Sequence, residues 1–164
     1  MSVGVTMQEL LAWNKEAAKF WKAHLEVNPA LLEVPCTIGN TGTVQGFVRH
    51  VWGAEVRWSD HLAGTHLTAW EEMPAGPLEA LYALHERAVA KFDELLAAPE
   101  VSWSDSLVMN YQWLPEELRT LSRRKALAHA LTHSQRHWAQ LATLAREAGF
   151  PSEFGGDLLF SSAL

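Results

Sequence analysis

The chain has 164 residues, 48% hydrophobic and 20% charged, and its 13 basic and 19 acidic side chains leave a formal charge of −6. That length suits one compact domain over residues 1–164, burying roughly 68–70% of its unfolded surface, and the apolar fraction excludes a disordered chain. An acidic chain whose longest basic run is Arg123-Arg124-Lys125 is not expected to bind nucleic acid, and no apolar run approaches the ~18 residues of a membrane span. Residues 1–8 carry neither a basic nor an apolar signal region, and the one cysteine, Cys36, leaves no intramolecular disulfide, so a cytoplasmic protein is expected.

The first helix is predicted from Thr6 to Val27. Thr6 and Glu9 have capping-box spacing, and Leu10, Trp13, Ala17, Phe20, Trp21 and His24 recur at three- and four-residue steps. Asn28-Pro29 ends it, and Ala30 to Gly42 reads as a connector containing Cys36 as a buried thiol. The second helix runs from Thr43 or Val44 to Ala63, with Phe47, His50, Val51, Ala54 and Trp58 on one face and Gly64 as its stop. A loop over 64–77 leads to a third helix from Pro77 to Ala98, striped by Leu78, Leu81, Leu84, Ala88, Phe92 and Leu95.

Between Val101 and Trp113 the helical period disappears, and alternation of Trp103, Met109, Tyr111 and Trp113 with polar residues points to a short hairpin or extended cover. The fourth helix spans Ser122 to Ala148, with Gly149 and Pro151 beyond it and an irregular tail from Ser152. Four helices of roughly 30–40 Å each define an all-α, four-helix bundle.

Eight histidines and eight tryptophans are the unusual counts. Tryptophan fills cores and lines pockets, and histidine is the commonest metal ligand. His129, His133 and His137 are spaced four apart on the fourth helix, so adjacent pairs share a face. His129 and His137 stand about 12 Å apart along the axis and cannot share one ion, so His133 pairs with one or the other. A third ligand has to come from a neighbouring helix, and His50, within the apolar stripe of the second helix, is the best placed. Small Gly53 and Ala54 would let a facing helix approach there. His24, His61, His66 and His85 read as structural or exposed, and core histidines bonded to carbonyls are the plain alternative for the whole set.

Other chemistries are excluded by pattern. The chain has no GxSxG elbow, no phosphate-binding Gly-Lys loop and no GxGxxG. Ser134 follows His133 where a zincin carries its glutamate, and Ala126, Ala130 and Ser134 stand where inward ExxH motifs of a di-iron bundle would need Glu.

Two stretches resemble the DinB/YfiT-like superfamily of metal-binding four-helix bundles. They are Gly46-Phe47-Val48-Arg49-His50-Val51-Trp52-Gly53-Ala54-Glu55-Val56-Arg57-Trp58 and His129-Ala130-Leu131-Thr132-His133-Ser134-Gln135-Arg136-His137-Trp138-Ala139-Gln140-Leu141. The resemblance covers nearly the whole chain and implies His50, His133 and His137 as the metal triad, with His129 outside it. Arg136 stands where many members have another histidine, and Trp138-Ala139 replaces Arg-Gly. Neither departure removes a ligand.

The resemblance further implies nickel or zinc, a low-molecular-weight thiol as co-substrate, and a homodimer. The expected activity is transfer of that thiol to a small electrophile, or hydrolysis, with a non-enzymatic metal-binding or scaffold bundle as the alternative. Glu55, His61 and Gln140 are candidate acid–base groups near the mouth, and specificity is expected in the loops 64–77 and 99–121.

Overall fold

The computed structural model describes residues 4–111, 114–153 and 156–163; Trp113 lies outside them. Four long helices are present: α1 (Met7–Val27), α2 (Val44–Ala63), α3 (Leu78–Ala97) and α4 (Arg123–Glu147). Each boundary follows local chemistry. Thr6 and Glu9 close a reciprocal capping box on α1, Thr43 accepts from the Gly46 amide, and Ser122 accepts from the Lys125 amide. Gly64 ends α2 at φ 65°, in the left-handed region that glycine adopts without a Cβ penalty.

The helices pack in the cyclic order α1, α3, α2, α4, so α1 faces α2 across one diagonal of the bundle. The core is aromatic at its centre. Trp21, Trp52 and Trp138 are fully buried, with ring centroids 5.8 Å apart for Trp21 and Trp138 and 5.7 Å apart for Trp52 and Trp138.

The extended elements differ from expectation. The connector after α1 holds a two-residue ladder, β1 (Pro35–Cys36) against β2 (Gly42–Thr43), with Cys36 buried. The segment after α3 does form the short extended hairpin expected between α3 and α4, but over a wider span than 101–113. Its strand β3 (Ser106–Val108) pairs antiparallel with β4 (Thr120–Ser122), the residues that run into α4. Beyond this ladder the Met109 amide donates to the Arg119 carbonyl at 2.7 Å; Met109 is buried, and Tyr111 lines a cavity.

The buried face of α1 is also rotated from the predicted stripe. Leu11, Asn14, Ala18 and Leu25 join Ala17 and Trp21 inside, whereas Leu10, Trp13, Phe20 and His24 are half-buried. A polar Asn14 occupies a core position because its amide donates to Glu55 Oε1 at 2.9 Å. The tail also acquires structure: Trp13 Nε1 donates to the Gly156 carbonyl at 2.7 Å, and Ser161 and Ser162 bond Glu16.

Candidate metal centre

Helix α2 runs antiparallel to α4, because His50 meets His133 and His137 while Trp58, two turns on, meets His129. That register brings one nitrogen from each of His50, His133 and His137 within 4.8 Å of the others. His133 Nε2 and His137 Nε2 are 3.0 Å apart. Two imidazole nitrogens sharing one ion at about 2.0–2.1 Å stand about 2.9–3.4 Å apart, so this pair already has the spacing of one coordination edge. His137 Nδ1 lies 2.7 Å from Gln140 Oε1. A donated Nδ1–H fixes the ring and leaves the Nε2 lone pair facing the centre, the usual outer support of a ligating histidine.

The three rings are kept neutral. Burial, then the proximity of His137, His50, His129 and Arg136, pushes His133 down to about 3. Burial and His137 lower His50, and burial lowers His137 against the opposing bond to Gln140. Neutral imidazole is the form that binds a cation, so the donor set fits a divalent ion of borderline softness.

The centre opens on a cavity of about 310 Å³ to which His50 and His133 both contribute. Its other walls are Arg57, Trp58 and His61 of α2, Trp70 of the 64–77 loop, Tyr111 and His129. Trp70 stacks on His50 with centroids 5.8 Å apart and planes at 11°. Tyr111 Oη lies 2.8 Å from His61 Nε2 and accepts from Arg57 Nη2 at 3.1 Å. Burial lowers His61, helped by Arg57 and opposed by Asp60.

The remaining histidines divide between site and scaffold. His129 packs on Trp58, centroids 4.9 Å apart, at the cavity rim and outside the three-nitrogen group. His61 is a wall of the cavity rather than a scaffold residue. His24 bonds the Phe150 carbonyl, and His66 is exposed, 3.6 Å from Glu72.

Two mouth candidates are elsewhere. Glu55 is buried in the bundle centre, where its carboxylate accepts from Asn14 and Ser134 and meets His85 Nδ1 at 2.7 Å. It sits five residues beyond His50 and is turned from the cavity to the bundle axis, where side chains of α1, α3 and α4 all meet it. Gln140 is turned to the His137 ring and is not among the residues lining the cavity.

The helix expected to approach Gly53 is replaced by a loop. A Cβ there would lie 2.5 Å from Trp70 Cζ3 and 2.9 Å from Met73 Sδ. Sequence reasoning also passed over two arginines on α2 that tie that loop down. Arg49 donates to the carbonyls of Trp70, Met73 and Pro74, and Arg57 Nη1 donates to that of Thr68 at 2.6 Å. Their eight-residue separation, two turns on one helix face, was the available signal.

A helical bundle that gathers three neutral imidazoles at the foot of an open cavity defines a class of bundles with a histidine centre. The chain belongs to the DinB family, whose profile matches residues 1–156. No curated protein matches the chain.

Proposed function

We propose that this protein is a metal-dependent enzyme in which His50, His133 and His137 hold a divalent ion, nickel or zinc, for thiol transfer to a small electrophile or for hydrolysis. The observation that carries the reading is the convergence of three neutral imidazoles from two helices on one side of a solvent-reachable cavity. A structural ion takes four protein ligands, whereas among the described residues the group has three and the remaining side faces the cavity. Such an ion supplies Lewis acidity, which holds a thiol as thiolate or makes water acidic near neutral pH.

The chain's own residues supply the rest. Gln140 orients His137, Trp70 shields His50, and the Tyr111 hydroxyl sits between Arg57 and His61 as a proton-bearing group at the mouth. Cys36 is buried in β1, so the nucleophilic sulfur comes from a small co-substrate. In the transfer reaction that sulfur forms the new S–C bond, the leaving group departs with its electron pair, and the thiol proton passes to solvent or leaving group. A homodimer and a cytoplasmic location belong to the same reading, and light scattering checks the first.

The test is elemental analysis after purification without an affinity-tag nickel step, comparing wild type with His133→Ala. The expected result is near-stoichiometric metal in the wild type and its loss in the variant. Little metal in either, even after incubation with zinc, nickel and manganese, overturns the reading.

A further inference from the structure

We propose that the cavity beside the three histidines is a recognition site for a small carboxylate, with Arg57 as the carboxylate-binding residue and Trp58 and Trp70 as walls for an apolar or planar body. The inference rests on the functional reading above for its purpose, and on Arg57 and the cavity for its chemistry.

Charge is the first argument. The chain as a whole is acidic, at −6, yet among the described residues no Asp or Glu lines this cavity; its ionisable walls are Arg57, Tyr111 and imidazoles. Asp60, whose charge acts on His61, is buried and committed to Lys91 at 2.6 Å and to the amide and hydroxyl of Thr68. A cleft lined by one sign of charge concentrates ligands of the other.

Arg57 itself is the second argument. Among the described residues no carboxylate lies within ion-pair distance of it. A half-buried guanidinium without a counter-ion is costly to keep, and an arriving anion removes that cost. The group is also pre-positioned. Nη1 is fixed by the Thr68 carbonyl and Nη2 by the Tyr111 hydroxyl, and the guanidinium carbon lies 5.8 Å from the Trp70 ring and 5.7 Å from the Tyr111 ring. Those two bonds use two of the five N–H donors of a guanidinium, whose planar fork suits a carboxylate.

Size is the third. About 310 Å³ lies at the small end of ligand cavities, enough for a metabolite-sized molecule and too little for a polymer. A bound carboxylate on Arg57 would leave the other end of the molecule toward His50 and His133, where the chemistry is proposed.

The experiment is calorimetric titration of the full-length protein, metal-free and zinc-loaded, with 3-phenylpropanoate, its neutral amide 3-phenylpropanamide, and phenylphosphonate. In metal-free protein a carboxylate has no ion to bind, so any preference over the amide reports the protein's own cation. The expected result is about a tenfold or greater preference for the carboxylate, the scale of a charge-assisted bidentate pair. It should fall to near unity in Arg57→Gln, shrink in Arg57→Lys, and leave zinc content unchanged in both. Arg57→Lys retains the charge and serves if the glutamine variant does not fold.

Equal binding of acid and amide, no binding of either, or a preference that survives Arg57→Gln overturns the proposal. Tighter phosphonate than carboxylate binding overturns the carboxylate assignment. Failure of the metal reading shows separately, as absence of bound zinc with the anion preference intact in metal-free protein.

Discussion

Gly53 and Trp70 are in direct contact: a single added carbon on Gly53 would come within 2.5 Å of the indole. The absence of a side chain on α2 is therefore what lets the 64–77 loop lay Trp70 against His50 and close one wall of the cavity. Gly53→Ala has helix propensity in its favour by about 1 kcal/mol. Overpacking costs about 1–3 kcal/mol and outweighs it, because the obstructing atoms belong to a ring held by Arg49 through its loop carbonyls. The expected outcome is a lower Tm and displaced indole fluorescence, and a Tm at or above wild type would show that the loop yields freely.

Gln140 touches the centre only through His137. Replacing it with leucine removes the acceptor at Nδ1 and leaves the three ring nitrogens in place. Loss of such an outer partner weakens metal binding by about 10–100-fold. Competition against a chromophoric chelator measures this, and an unchanged affinity would show that packing against Phe47, 5.2 Å away by ring centroids, orients His137 by itself.

Metal loading is expected to stabilise the fold by linkage. At a free zinc concentration 100 times the Kd, the gain is about 2.7 kcal/mol. His133→Ala abolishes that gain, which thermal unfolding with and without chelator reads directly. A chelator-sensitive Tm in the variant would place the ion elsewhere.

The Glu55–His85 pair is a buried polar junction joining three helices to α2. Both side chains are almost wholly buried, and Asn14 and Ser134 complete the carboxylate's hydrogen bonds. Truncating one member of a buried pair strands the others at a cost of about 3–5 kcal/mol. Glu55→Ala is expected to lose that much in urea unfolding. Glu55→Gln keeps side-chain volume and an acceptor oxygen for Asn14 and Ser134 and is expected to lose less; equal losses would exclude cavity formation and assign the effect to the carboxylate oxygen that meets His85.

Asp60 supplies a pH dependence whose sign is fixed. Burial raises its carboxyl, but bonds from Lys91 and Thr68 together more than offset that, so it ends below its ordinary value of 3.8. As pH falls, the unfolded chain takes up this proton first. The stabilisation is therefore complete above about 3.8 and disappears as pH drops through the lower folded-state value. Wild type and Asp60→Asn should differ in urea midpoint by a constant amount between pH 7 and 5 and converge in stronger acid. A gap that instead widened in acid would reverse the sign.

Helix number, the capping box at Thr6, the helix starts near Thr43 and Ser122, and the stop at Gly64 were legible because each depends on residues within one turn of one another. The four-residue spacing of His129, His133 and His137 was legible for the same reason, and the apolar stripe of α2 singled out His50. Spacing alone could not choose between His129 and His137 as partner of His133, because both satisfy helical geometry equally; the resemblance implied His137. The antiparallel register of α2 against α4, which only the packed helices reveal, sets His50 opposite His137 and Trp58 opposite His129. Nor could the sequence place Glu55 and Asn14 inside, since polar residues read as solvent-facing until their partners on other helices are known. Local chemistry wrote the helices and the histidine spacing into the chain; the cavity, its Arg57 and its tryptophan walls exist only because helix packing and the folded loops bring distant residues into contact.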